Sequence, residues 1–204
     1  MRRAGSIARI SGHPALDFAN TAGWHASDER NEWLTSYGEW LDWLRAGSAF
    51  PPSTLRALAT ESARDAARSQ RALKRVLEQR ELVYRVFTAV AHDRAPTDAD
   101  LAALHRARVN ALEAAEPRWQ RGRITLDWTG NTSELLAPLH PLMLAASDLL
   151  GALETERLRQ CGNDPCGWLF LDQSRNGRRR WCSSAECGNA SRVRAFRARR
   201  SRGR

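Results

Sequence analysis

The sequence predicts a mainly α-helical protein: an N-terminal helical bundle with one short β-hairpin, then a small cysteine-bearing module made of a second hairpin and a basic helix. Three observations carry this reading. Up to about residue 160, apolar residues recur at threes and fours between capping residues and prolines. All four cysteines of the 204-residue chain fall between Cys161 and Cys187. The net charge of +9 is lopsided, with 19 Lys or Arg against 18 Asp or Glu in residues 1–150 and 13 against 5 in residues 151–204. The expected domains are 1–155, helical, and 156–204, the basic module.

Residues 13–21, HPALDFANT, bring Leu16 and Phe18 near Ala19 in a short apolar segment. Ser36 can cap a helix that carries Trp40, Leu41, Trp43 and Leu44 on one side and stops at Gly47. Pro51-Pro52-Ser53 opens the next helix, with Leu55 and Leu58 one turn apart. Over residues 69–91, Leu73, Val76, Leu77, Val83, Val86, Phe87 and Val90 make an amphipathic stripe. Pro96-Thr97-Asp98 breaks it and caps another helix holding Leu101, Leu104 and Leu112. Residues 118–120 and 124–128 read as a hairpin around Arg121-Gly122-Arg123. Residues 133–159, with Leu135, Leu136, Leu139, Leu142, Met143, Leu149, Leu150 and Leu153, are expected to be the central helix, its start delayed or kinked by Pro138 and Pro141.

The cysteines are spaced C-x4-C, fifteen residues, C-x4-C, which pairs Cys161 with Cys166 and Cys182 with Cys187. Two thiolates on one turn hold an ion from one side, and a second pair brought back by a hairpin completes a tetrahedron. Residues 162–165 suit a knuckle, Trp168-Leu169-Phe170-Leu171 a strand, Asn176-Gly177 a turn and residues 179–181 the return strand. Four Cys ligands without histidine or an open position point to one structural Zn2+ in a treble-clef-like or ribbon-like module. An iron–sulfur cluster and two disulfides are the competing readings; the paired spacing weighs against the first and a reducing cytosol against the second. A module of about forty residues has little core of its own, so metal binding is expected to fold it.

Ser183-Ser184-Ala185-Glu186 has the form of a capping box, and a helix is expected from there through Arg200. Val193 and Phe196 are expected to pack back on the hairpin, turning Arg192, Arg199 and either Arg194 or Arg197 outward beside Arg200. With Arg175, Arg178, Arg179 and Arg180 on the hairpin turn and Asn189 at the helix start, these residues form the candidate nucleic-acid surface. Guanidinium groups take phosphates in bidentate fashion and read the O6 and N7 edge of guanine. Trp168, Phe170 and Trp181 can stack on bases, but in so small a module they read as its core.

In the helical part, Asp17, Phe18, Asn20, Thr21, Trp24 and Trp40 are the candidates for a small-molecule pocket, weighed against capping and core packing around Phe18. The five histidines have no ligand spacing. No nucleophile elbow, phosphate loop, dinucleotide fingerprint or His-Glu-x-x-His occurs, so no catalytic residue is assigned and enzyme activity is not expected. No apolar run is long enough to span a bilayer, and residues 1–6 lack the apolar stretch of a signal peptide, so the expected location is cytoplasmic, with no membrane partner.

These residues resemble the bacterial CGNR zinc-finger proteins, in which an ABATE domain precedes a C-terminal zinc finger. The likeness runs over residues 161–200, through C-x4-C, GWLFLDQSRNGRRRWCSSAECGN and the arginine-rich helix, and includes an L-D-F-x-N-T signature at Leu16, Asp17, Phe18, Asn20 and Thr21. The resemblance implies a transcription regulator, described as stress-induced, whose zinc finger binds DNA. The leading expectation is therefore a regulator of duplex DNA whose helical domain senses a ligand or forms a homodimer; an adaptor for an acidic protein partner and an RNA-binding protein are the alternatives. One departure bears on the DNA contact. Cys187-Gly188-Asn189 is followed by Ala190 and Ser191, where the family carries arginine and lysine, so affinity or site preference is expected to differ while the zinc ligands are intact.

Overall fold

A computed structural model describes residues 4–48, 50–120, 122–130, 133–152 and 155–202; Arg121 and Leu153, named above, lie outside them. Helices start where side chains can satisfy their first N–H groups. His13 Nδ1 accepts from Ala15 N–H at the head of α1 (Pro14–Ala19), and Ser36 Oγ accepts from Glu39 N–H at α2 (Tyr37–Ala46). Pro52 opens α3 (Pro52–Arg64); Asp65 caps α4 (Ala66–Ala91) and Thr97 caps α5 (Asp98–Glu113). The sixth helix, α6, is Leu139–Ala152, and α7 is Asn189–Arg202.

Three antiparallel pairs accompany these helices: β1 (Ala22–Gly23) with β2 (Asn31–Glu32), β3 (Glu116–Gln120) with β4 (Arg123–Asp127), and β5 (Leu158–Gln160) with β6 (Leu169–Leu171). The 26-residue α4 runs through the middle and touches α1, α2, α3, α5, α6 and the β5–β6 pair. Phe18, Trp40, Trp43, Leu55, Leu58 and Met143 form the core with Val83 and Phe87 of α4. Trp40 and Trp43 stack with centroids 5.3 Å apart, and Phe18 tilts against Trp40 at 5.4 Å. Leu158, Trp168, Leu169 and Phe170 belong to this same core, so the cysteine module is seated on the helices.

Three expectations are corrected. The last apolar segment is not the central helix: α6 covers only its middle, starting after Pro138 with Pro141 in the first turn, and α4 takes the centre. Residues 158–160 leave the helical path because an extended backbone buries Leu158 and lets it pair with Leu171. That pairing gives β6 its partner, so residues 179–181 are not a return strand; the Arg180 carbonyl instead accepts from Gly162 N–H at 2.9 Å. Finally, Val193 and Phe196 do not pack back. They are 39% and 53% exposed, because they lie on a side of α7 that faces away from the body, whereas Arg194 reaches back to Asn163.

Candidate metal centre and basic surface

Two elements bring the four cysteines together. Residues 161–166 form a knuckle in which Cys166 N–H donates to Asn163 C=O at 2.7 Å, and Cys161 N–H donates to Trp168 C=O at 2.7 Å. Cys182 precedes a helical turn (Ser184–Gly188), capped by Ser183 Oγ, that contains Cys187 and runs into α7. All four sulfurs lie within 4.8 Å of one another, with Cys166 and Cys182 at 3.7 Å and Cys182 and Cys187 at 3.5 Å. Four thiolates about 2.3 Å from a central Zn2+ define a tetrahedron with edges of about 3.8 Å, so the cage has zinc's dimensions.

The electrostatics of the cage favour neutral thiols at three of the four positions. Hydrogen bonding to the neighbouring thiols, then burial, pushes Cys166 and Cys182 far above the ordinary thiol range, and burial with the nearby Cys161 charge raises Cys187. Only Cys161 is lowered, because Cys166, Cys182 and the Cys182 N–H all donate to it. Four thiolates this close cannot ionise together alone; a dication at the centre removes that penalty. The chain can thus bind one zinc ion through Cys161, Cys166, Cys182 and Cys187, four protein ligands that leave no open coordination position, as in a structural site.

The arginines divide into two groups. Arg175, Arg178 and Arg180 are exposed on the loop after β6, and Arg192, Arg194, Arg197, Arg199 and Arg200 are exposed along α7, as is Asn189 at its start. Trp181 links the two stretches. Arg180 lies over its ring at 5.4 Å, and a Cβ at Gly188 would lie 3.3 Å from the ring and 3.4 Å from Arg192 Nη1. Arg194 also bonds Asn163 on the knuckle, tying α7 to the metal cage.

Arg179 differs from its neighbours and is removed from the candidate surface. Its Nε donates to Trp181 C=O at 3.0 Å, its Nη2 donates to Ile10 C=O at 3.3 Å and to Cys182 C=O, and the guanidinium lies 4.3 Å over Phe170. The organiser of this loop is a residue that sequence reasoning does not single out. Buried Asp172 accepts from Ser174 N–H and Oγ–H and from Arg179 N–H, fixing which arginine of the run turns inward. The Asp-x-Ser spacing is its signal in the sequence.

A family model described as a CGNR zinc finger matches residues 157–200, and one described as “Putative stress-induced transcription regulator”, the ABATE domain, matches residues 12–153, more than half of the chain. The chain belongs to the ABATE family. No curated protein matches it.

Within the ABATE domain the L-D-F-x-N-T signature performs a structural task. Asn20 Nδ2 donates to Leu169 C=O at 2.8 Å while its Oδ1 accepts from Leu169 N–H at 2.9 Å, so one amide side chain pairs with β6 as a neighbouring strand would. Ser11 continues the clamp. Its C=O accepts from Leu171 N–H, and its own N–H donates to Asp17 Oδ1. Asp17 is raised from the ordinary carboxylate range by burial, against which the Ser11 hydrogen bonds and the Arg9 and His13 charges act. Thr21 Oγ1 donates to Phe18 C=O, and Trp168 Nε1 donates to Ala22 C=O at 2.8 Å.

Beneath the knuckle, His25 N–H donates to Cys166 C=O, and its ring stacks on Tyr84 at 3.5 Å. Tyr84 Oη–H donates to Gly167 C=O, and His25 Nε2 lies 3.0 Å from Glu81. Gly167 is required by this closeness. Its φ is +69°, and a Cβ there would lie 2.5 Å from Ala26 N and 2.8 Å from Tyr84 Oη. Arg80, wholly buried, joins Glu32 through two bonds of 2.6 and 2.7 Å and also pairs with Glu81.

The six residues expected to form one ligand pocket do not line a common cavity. Phe18, Asn20, Thr21 and Trp40 are at most 1% exposed and spent on packing or the clamp. Asp17 borders one cavity of about 400 Å³ with Arg9, His13, Trp43 and Pro141, whereas Trp24 borders another of about 280 Å³ beside Trp33, Trp168 and the cysteine cage.

Proposed function

We propose that this chain is a zinc-dependent, non-enzymatic regulator that binds duplex DNA through the outer side of its cysteine module. The observation that carries the reading is α7. The described part of this helix has no buried residue, bears five exposed arginines through Arg200 and contains no acidic residue. A polar helix of this length gains little stability from packing and is marginal alone in water. It fits a major groove, where phosphates neutralise its charge and its arginines reach base edges. The zinc cage holds its first turn, and Arg180 and Arg192 flank the junction. With Ala190 and Ser191 in place of two basic residues, affinity rests on the arginines of the loop and of the helix beyond them.

The test is selection of zinc-loaded protein on a random duplex-DNA library, followed by sequencing of the bound fraction. An enriched motif lost on chelation supports sequence-selective regulation. Preferential retention of RNA, or of an acidic protein surface over both nucleic acids, refutes the duplex assignment.

A further inference from the structure

The β3–β4 hairpin has a finished sequence pattern and an unfinished environment. Every residue of β3 is exposed, and Trp119, Ile124 and Leu126 are 73%, 70% and 39% exposed. The register pairs Pro117 with Leu126 and Trp119 with Ile124, so these four side chains share one apolar face. Glu116, Arg118, Gln120, Arg123, Thr125 and Asp127 share the other. The base is fixed, because Trp128 Nε1 donates to Ala111 C=O on α5 at 2.8 Å. A two-stranded hairpin with a solvated apolar face is marginal in water, whereas added strands stabilise it.

Its two edges differ. Opposed residues in an antiparallel pair alternate between hydrogen-bonded and non-hydrogen-bonded positions. Gln120 and Arg123 close the loop as a bonded pair, so Trp119, Pro117, Ile124 and Leu126 turn their backbone groups outward. On β3 that edge is blunted by Pro117, which has no N–H. On β4, Ile124 and Leu126 present complete N–H and C=O pairs.

We propose that a second copy of this chain adds its β4 to this β4, antiparallel, about a two-fold axis at Thr125. The strand is complementary to itself in that register. Arg123 faces Asp127 of the second copy, Ile124 faces Leu126 of the second copy, and the relations repeat by symmetry. Each apolar row then runs across four strands from Trp119 through Ile124 to Leu126 and Pro117 of the second copy. Asp127 is disposed for this. Its Oδ1 accepts from Thr129, and its Oδ2, 3.8 Å from Arg118 Nε, stands on the polar face where Arg123 of the second copy arrives. The inference is independent of the DNA reading.

Sedimentation velocity of the zinc-loaded full chain, without DNA, tests it. The native protein should show a concentration-dependent dimer up to about 100 μM. Arg123→Asp and Asp127→Arg should each weaken association at least tenfold, because each places like charges opposite one another. An equimolar mixture of these two variants should regain the dimer, since every cross-strand pair is then of opposite sign. Ile124→Glu, at a side chain already in solvent, should give a folded monomer by circular dichroism. A native protein that stays monomeric, a dimer indifferent to these substitutions, or a mixture that does not associate overturns the proposal.

Discussion

The cysteine module has two sides that use their polar atoms in opposite ways. Toward the helices polar groups are paired, Asn20 with Leu169, Ser11 with Leu171, Trp168 with Ala22 and Tyr84 with Gly167, and Arg179 turns in to the carbonyls of Ile10, Trp181 and Cys182. Away from them lie exposed guanidinium groups on the loop and on α7. Burial explains the contrast. An unpaired polar atom under the core costs about 1–3 kcal/mol, whereas an exposed arginine keeps its hydration and remains available to a polyanion. Stability and binding should therefore separate by side.

The largest effect that would break the separation is loss of the metal, because the cage anchors both sides. Cys182→Ser should abolish stoichiometric zinc, measured by mass spectrometry of the metal, and unfold the module. Zinc binding in such sites is worth on the order of 10 kcal/mol at neutral pH, and Leu158, Leu169 and Phe170 carry the loss into the shared core. Full zinc occupancy in that variant would contradict the four-thiolate centre.

A smaller effect falls on Glu81 beneath the knuckle. Burial raises its carboxyl, but the His25 hydrogen bond and the His25, Arg80 and Arg30 charges outweigh burial and hold it at about 2, against an ordinary 4.5. A depressed carboxylate stabilises fully above its unfolded value and loses that contribution as pH falls through its folded one. Glu81→Gln should therefore cost about 2 kcal/mol at neutral pH, where solvent screens the part-exposed carboxylate and burial keeps His25 uncharged, and the gap from the native protein should close between about pH 4.5 and 2. Urea titrations at several pH values read this; a gap that widens on acidification would contradict it.

Asn20→Ala has an effect of comparable or larger size. It leaves the Leu169 N–H and C=O without their side-chain partners and should cost about 2–4 kcal/mol in denaturant midpoint at constant zinc content. Asn20→Asp should recover little, since a carboxylate cannot donate to Leu169 C=O.

These residues also show what was legible in the sequence. The helices, their caps at Ser36 and Thr97, the β3–β4 hairpin and the zinc ligands follow from local periodicity, capping chemistry and cysteine spacing, all short-range signals. The β5–β6 pairing, the roles of Asn20 and Arg179 and the buried Arg80 were not legible, because each depends on contacts between residues far apart in the chain. Asn20 meets Leu169 across 149 positions, and nothing local distinguishes a clamp from a pocket wall. The three-arginine run illustrates the same limit: Arg178, Arg179 and Arg180 are alike in sequence, and only the Asp172 turn decides which one faces in.

The central claim is that the outer arginines bind duplex DNA while the inner contacts hold the module. The most direct measurement is the affinity of zinc-loaded protein for duplex DNA over a salt series, for the native chain, for Arg175→Ala/Arg178→Ala/Arg180→Ala, and for Arg179→Ala. If about five phosphates are neutralised, log K for the native chain falls against log salt with a slope near −4.5. The triple variant should flatten that slope by about 0.9 for each phosphate it no longer neutralises, with stability changed by no more than about 0.5 kcal/mol. Arg179→Ala should keep the slope and lose about 1–3 kcal/mol of stability. A native slope near zero, or a triple variant that binds as the native chain does, would contradict the account.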